Sequence, residues 1–255
     1  MKITIISLFP EMIRGFLNES IIKRAQEKGK VTIKTINLRD FGEGAYKQVD
    51  DRPYGGGAGM ILMVSPLAKA IKKSKIKNQK IKIKKKIILT SPRGKKYSQE
   101  VAQEFSKLDD LTIICGHYEG IDERVVDYVD EEISLGDFVM TGGEIAACAI
   151  IDSVVRLIPG VLKKTEATAE ESFFDVSTEE LLKLIPDDGD LLNLFKKNIK
   201  KVKLIEYSHY TRPVDFGGDK VPEVLLSGDH KEIQNWRIKQ AFLLTKKRRP
   251  DLLRK

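Results

Sequence analysis

Along the first two-thirds of the chain, short apolar runs rich in Ile, Leu and Val alternate with longer amphipathic stretches. "KITIISLF" (2–9), "VTIKTINL" (31–38), "KIILTS" (86–91), "LTIICG" (111–116) and "EEISLG" (131–136) predict β-strands. Residues 10–28, 65–74, 97–107, 121–128 and 143–157 predict helices. Strand alternating with helix implies an α/β fold class, with a parallel sheet covered on both faces. "GEIAACAIIDSVVRL" (143–157) is apolar nearly all round, which predicts an interior or interface helix stopped by Pro159-Gly160. Beyond Gly160 the pattern changes to polar text and then to short apolar groups separated by turns. Residues 161–205 therefore read as a linker with some helical content between a domain over 1–160 and a second unit over 206–255, which ends in a helix over 230–247.

Composition adds a class. The 255 residues are 41% hydrophobic and 32% charged, as in a soluble globular protein with a sizeable core. There is no apolar stretch of bilayer-spanning length, and "MKITIISLFPEM" is too short for a signal peptide and has no small-residue cleavage site, so no membrane partner and a cytoplasmic location are expected. Cys115 and Cys148 have apolar surroundings and no CxxC spacing, and read as buried thiols. The net charge is +8, but nine lysines fall within 72–86, so the remainder is close to neutral. Clustering is more informative: 196–203 and 246–255 are basic patches that suit a polyanion, whereas the 72–86 run has no aromatic for base stacking and reads as a solvated loop.

In a parallel sheet, ligands collect beyond the carboxyl ends of the strands. Three loops meet that description: "TSPRG" (90–94), "CGHYEGIDER" (115–124) and "SLGDFVMTGGE" (134–144). A further stretch, "RPYGGGAGM" (52–60), has so few side chains that another backbone or a ligand can approach it closely. It lacks the Lys-Ser/Thr of a phosphate-binding loop, and no GxGxxG follows a strand. Arg93 is the nearest cation to the three loops. A ligand with adenine and ribose but no phosphates fits better than a nucleoside triphosphate.

The motifs "SLFPEM", "VDDRPYGGGAGM", "LTSPRG", "CGHYEGIDERV", "SLGDFVMTGGE", "IPGVL", "ESF", "HYTRP", "VPEVLLSGDH" and "WR" occur in this order. In that set and order the chain resembles the bacterial tRNA (guanine-37-N1)-methyltransferases, the TrmD family. The resemblance implies a SPOUT-type α/β domain with a deep trefoil knot, a small helical C-terminal domain, and a homodimer with its active site at the subunit interface. It also implies S-adenosylmethionine as cofactor, Mg2+, and the anticodon arm of tRNA as partner. The methyl donor is expected at Ser91, Pro92, Gly94, Tyr118, Glu119, Gly120, Ser134, Leu135, Gly136, Phe138, Met140, Thr141, Gly142 and Gly143. For tRNA the expected contacts are Asp50, Arg52, Tyr54, Gly55, Gly56, Gly57, His209 and Arg212, with Lys246, Lys247, Arg248 and Arg249 on phosphates.

Transfer from a sulfonium needs alignment with the guanine ring nitrogen, a base to take its proton, and a cation to steady the carbonyl. By resemblance the cation is Arg156, although an i,i+4 pair with Asp152 is an alternative use of that side chain. The base position, aspartate in the family, is Glu171 here, with Asp175 as the second candidate. His117 stands where the family often has arginine, and reads either as a plain loop histidine or as an RNA contact. Asp50 and Arg52 either pair with each other or read a base edge. From Phe173 to His209 the chain also runs longer than the family spacing, which reads as an insertion.

Overall fold

The computed structural model describes residues 1–74, 83–163 and 171–253. They form two compact units, Met1–Lys163 and Lys164–Lys255. Most of the lysine run (75–82) and part of the acidic stretch (164–170) lie outside the described residues.

The first unit is built on five parallel strands: β1 (Lys2–Ser7), β2 (Thr32–Asn37), β5 (Lys85–Lys96), β6 (Asp110–Cys115) and β7 (Glu131–Ser134), in the order β2-β1-β6-β5-β7. Two short strands, β3 (Asp50–Asp51) and β4 (Ile61–Leu62), pair antiparallel and bracket the glycine-rich loop. The helices are α1 (Arg14–Leu17), α2 (Ser20–Glu27), α3 (Val64–Ser74), α4 (Gln99–Phe105) and α5 (Glu144–Val155).

The continuous apolar runs have a direct cause, since both sheet faces are covered. Ile3 and Ile5 of β1, Ile88 of β5, and Leu111 and Ile113 of β6 join one core with residues of α2, α4 and α5. The alternate residues Ile6, Leu89 and Ile114 join a second core with Leu67, Ala70 and Ile71 of α3. Helix α5 is buried along most of its length, with Ile145 on its exposed side.

Two predicted helices are less regular than their periodicity suggests. Residues 10–28 divide into a 3-10 turn, α1 and α2, and residues 123–128 are 3-10 rather than α-helical. Strand β5 extends beyond the predicted 86–91 because the chain rejoins the sheet after a bulge. Among the described residues no helix is long and apolar enough to cross a membrane.

In the second unit, β8 (Phe174–Ser177) and β9 (Lys201–Leu204) form an antiparallel pair. Between them lie α6 (Thr178–Leu184) and α7 (Gly189–Lys196), followed by the hairpin β10 (Asp215–Phe216) and β11 (Asp219–Lys220), and then α8 (His230–Arg248). Asp188 and Asp229 cap α7 and α8 by accepting hydrogen bonds from first-turn amides. Val176, Leu181, Leu191, Val202 and Leu204 share one core with Ile238, Ala241 and Phe242 of α8. The segment read from sequence as a linker over 161–205 thus supplies, from Phe174 onward, half of a core completed by α8. Its elements are four to eight residues long, too short for a helical or strand period to declare itself.

Tyr97, just past β5, shares a 2.6 Å hydroxyl–hydroxyl hydrogen bond with Ser153 of α5. Burial pushes its phenol up to about 12, against the opposing effect of that hydrogen bond. The unfolded chain releases this proton near the ordinary value of 10, so the Tyr97 contribution to stability is complete below pH 10 and is lost as the pH rises towards 12. Urea unfolding between pH 9 and 12 is expected to show this decline, and Tyr97→Phe to remove its part of the slope.

Candidate active site

Strand β5 runs in register with β7 to Thr90, which lies opposite Ile133; Lys95 then faces the same Ile133. Ser91-Pro92-Arg93-Gly94 are thrown out as a bulge. Gly94 makes the return possible, because a Cβ there would sit 2.4 Å from the backbone of Glu132.

The Thr90 hydroxyl donates to the Ile114 carbonyl (3.2 Å) and accepts from the Gly116 amide (3.3 Å), joining the ends of β5 and β6. Gly143, at the N-terminus of α5, packs so closely on this junction that a Cβ would lie 1.9 Å from Thr90 Oγ1. The Gly143 amide donates to the Gly116 carbonyl at 2.8 Å, and His117 and Gly142 form an antiparallel bridge. Three loops distant in sequence are therefore joined through one hydroxyl and one missing side chain.

His117 bonds through Nδ1 to the Thr141 carbonyl, lies edge-on to Phe9 and stacks on Tyr118, with both ring centroids 4.9 Å away. It acts here as a strut between two loops. Tyr118 is held at φ +60°, a left-handed conformation costly for a residue with a Cβ. On the third loop, Ser134 Oγ donates to the Gly136 carbonyl and accepts from the Gly136 amide, and the Phe138 ring folds back over Gly136.

The glycine-rich stretch docks against the middle loop. Glu119 N–H donates to the Met60 carbonyl, Leu62 N–H to the Gly120 carbonyl, and Asp122 N–H to the Leu62 carbonyl. Gly59 abuts the Glu119 side chain, which a Cβ would meet at 2.4 Å. The remaining glycines 55–57 all have positive φ and open surroundings, and Tyr54 is fully exposed beside them.

These loops enclose a cavity of about 430 Å³. Every residue that the resemblance assigns to the methyl donor lines it except Gly94, whose place is in the bulge behind it. Thr90, the first residue of the 90–94 loop, also lines it, as do Leu89, Ile133 and Ala146, which escaped sequence reasoning; their signal was position at the strand ends and at the start of α5. Arg93 reaches Glu123 at 3.1 Å and Glu132 at 3.7 Å, so its charge is met by carboxylates. The donor set thus suits an uncharged nucleoside moiety: apolar walls, backbone amides and carbonyls, and no open cation for a polyphosphate.

Burial pushes the Cys148 thiol up to about 11 and the Cys115 thiol well above the thiol range, with Glu144 adding to both, so neither is a thiolate nucleophile at neutral pH. Cys148 is half-buried rather than buried as expected. Among the described residues no group of three His, Cys, Asp or Glu side chains is placed to hold a metal ion.

The chain matches the family described as tRNA (Guanine-1)-methyltransferase TrmD over residues 1–187 and 192–255. It belongs to that family. It is 49% identical over 255 residues to the tRNA (guanine-N(1)-)-methyltransferase of Clostridium perfringens (strain 13 / Type A), covering 100% of this chain and 94% of the relative. Identity to the protein of the same name from Carboxydothermus hydrogenoformans is 50% over 255 residues, with 100% and 88% covered. For that of Clostridium tetani it is 47% over 254 residues, with 100% and 92% covered. The family match enters the stretch from Phe173 to His209 from both sides and is interrupted within it at residues 188–191.

Asp50 lies in β3, and Arg52 follows it with its amide donating to Asp51 Oδ1 at 2.7 Å; no ion pair joins Asp50 to Arg52 among the described residues. Arg156 closes the C-terminus of α5, its amide donating to the Asp152 carbonyl. In the second unit Glu171 directly precedes Ser172, Phe173 and β8. Asp175 pairs across the strands with Lys203 at 3.0 Å. His209 and Arg212 are exposed, with His209 Nε2 2.9 Å from Glu206 Oε1. Two expected phosphate contacts are engaged internally: Lys246 bonds Asp188 and Asp190, and Arg249 bonds Asp251.

Gly143→Ala drives a methyl group into Thr90 and the Gly116 amide, a clash that only loop displacement relieves. Calorimetry with S-adenosylmethionine is expected to show affinity lower by roughly tenfold or more, in line with an overpacking cost above 1 kcal/mol. Unchanged affinity would mean that these loops do not shape the ligand site.

Proposed function

We propose that this protein transfers a methyl group from S-adenosylmethionine to N1 of the guanine at position 37 of tRNA, next to the anticodon. The observation that carries the reading is the glycine-cradled, phosphate-free cavity at the ends of β5, β6 and β7, in a chain that matches its family over nearly its full length. The reading includes a SPOUT-type trefoil knot, a homodimer and a cytoplasmic location, all supported by family membership.

Backbone groups of Ser134–Gly136 and Thr141–Gly143 would hold the donor, with Leu89, Ile133 and Ala146 excluding water around its base. The bound donor supplies an already activated methyl group, so what the chain must add is alignment and proton management. Glu171 of the partner subunit takes the N1 proton of guanine. Arg156 steadies the negative charge that develops on the guanine carbonyl oxygen. The open glycines 55–57 and Tyr54 leave room for the target base and its neighbour to enter. Asp175 is a poor alternative base, because Lys203 already occupies its carboxylate.

Lys247, Arg248 and Arg212 are exposed cations available for tRNA phosphates, which makes binding salt-dependent. Mg2+ comes with the family reading, but the carboxylates of this chain do not assemble a site for it among the described residues, and no step is assigned to it.

The test is transfer of labelled methyl to guanine-37 tRNA transcripts, with the modified atom mapped by mass spectrometry. Glu171→Ala is expected to lower kcat by roughly 10²–10⁴, the usual contribution of a general base, and Asp175→Ala to leave most of the activity. If the wild-type protein binds tRNA but transfers no methyl group, it is an RNA-binding protein and this reading fails.

A further inference from the structure

Glu171 is followed by two residues held in an unusual way. Phe173 has φ +78°, a left-handed conformation unfavourable for any residue with a Cβ, and such a conformation persists only where its surroundings impose it. Three contacts do so. The Phe173 amide donates to the Leu204 carbonyl at 2.7 Å, and Ser172 Oγ accepts from the Glu206 amide at 3.0 Å. The third contact comes from the far end of the unit: the Arg249 guanidinium lies 5.8 Å from the centroid of the Phe173 ring, within cation–π range.

Arg249 is itself fixed. Its amide donates to the Thr245 carbonyl at 2.8 Å, closing α8, and Nε and Nη2 donate to the two Asp251 carboxylate oxygens at 2.9 and 2.8 Å. This fork sets the plane of the guanidinium and leaves its face for the ring. Three turns of sequence logic meet here: the end of α8, the exit of β9 and the entry to β8.

We propose that Arg249 is a positioning residue for Glu171, holding Phe173 in its left-handed conformation and so setting the direction in which the chain runs back to the carboxylate. This rests on the reading of Glu171 as the general base. Relaxation of Phe173 to an ordinary negative φ would rotate the upstream chain about that Cα and swing Glu171, two residues away. Displacements of about 1 Å at a catalytic group are costly in rate. The role differs in kind from the phosphate contact expected for a C-terminal arginine. A phosphate contact governs tRNA affinity and its salt slope, whereas a positioning residue governs the chemical step.

Steady-state methyl transfer to guanine-37 tRNA separates the two, using Arg249→Ala, Arg249→Lys, Phe173→Leu and the Arg249→Ala/Phe173→Leu double variant. Each of Arg249→Ala and Phe173→Leu is expected to lower kcat by roughly tenfold, with KM for tRNA within about twofold of wild type. The double variant is expected to be no worse than the poorer single one, because both break the same contact. Arg249→Lys keeps a cation over the ring and is expected to recover part of kcat. If Arg249→Ala fails to fold, Phe173→Leu and Arg249→Lys read the same contact.

A raised KM with a shallower salt slope and normal kcat would make Arg249 a phosphate ligand and overturn the proposal, as would additive effects in the double variant. Glu171→Gln, measured alongside, isolates the underlying assumption. Wild-type kcat in Glu171→Gln removes the base assignment itself, whereas an inactive Glu171→Gln with a normal Arg249→Ala removes only the positioning role.

Discussion

The first unit depends on one contact between a hydroxyl and a missing side chain. Thr90 Oγ1 joins β5 to β6, and Gly143 can lie against it only because glycine has no Cβ. From that junction follow the Gly143–Gly116 hydrogen bond, the His117–Gly142 bridge and the start of α5, and hence the walls of the cavity. The bulge at 91–94 and the close packing of Gly59 on Glu119 are further cases of the same economy. Where several loops must share a small volume, backbone without side chains lets them interlock, and the ligand is then met by amides and carbonyls rather than by flexible groups.

The second unit works by opposite means. Its elements are short, and its order comes from a small apolar core together with charged and polar ties at the edges. Thr245 accepts from the Ile205 amide and donates to the Ala241 carbonyl, Lys246 clasps Asp188 and Asp190, and Arg249 clasps Asp251. Basic residues that look on paper like a uniform polyanion patch therefore divide into two groups. Some are structural partners of nearby acids, and others, such as Lys247 and Arg248, stay exposed.

Sequence pattern located the five strands of the parallel sheet within a few residues: β1 and β6, buried on both faces, leave nearly continuous apolar runs, and the more exposed β2 leaves an alternating one. It also placed the three loops, since their glycines and hydroxyls follow those runs directly. It missed β3 and β4, which are two residues each; they pair with one another, and Leu62 of β4 also bridges to Ile121. It gave no sign of the role of Thr90, because a threonine at a strand end is ordinary until its three-dimensional neighbours are known. His117, open between two readings, is explained by Phe9, Tyr118 and Thr141, of which only Tyr118 is nearby in the chain. The folded segment after Phe173 was read as linker because short amphipathic pieces carry too few periods to be told from turns.

The strand order has a consequence for how the molecule is made. β1 pairs with β2 on one edge and with β6, from Asp110 to Cys115, on the other, so that second edge has no native partner until residue 115 has been made. At ribosomal rates of ~5–20 residues per second, that edge waits several seconds for its partner. An unpaired row of backbone N–H and C=O groups flanked by apolar faces is the kind of surface that recruits chaperones or the wrong strand. The central position of a late strand thus makes the N-terminal third of this chain the portion most dependent on protection during synthesis.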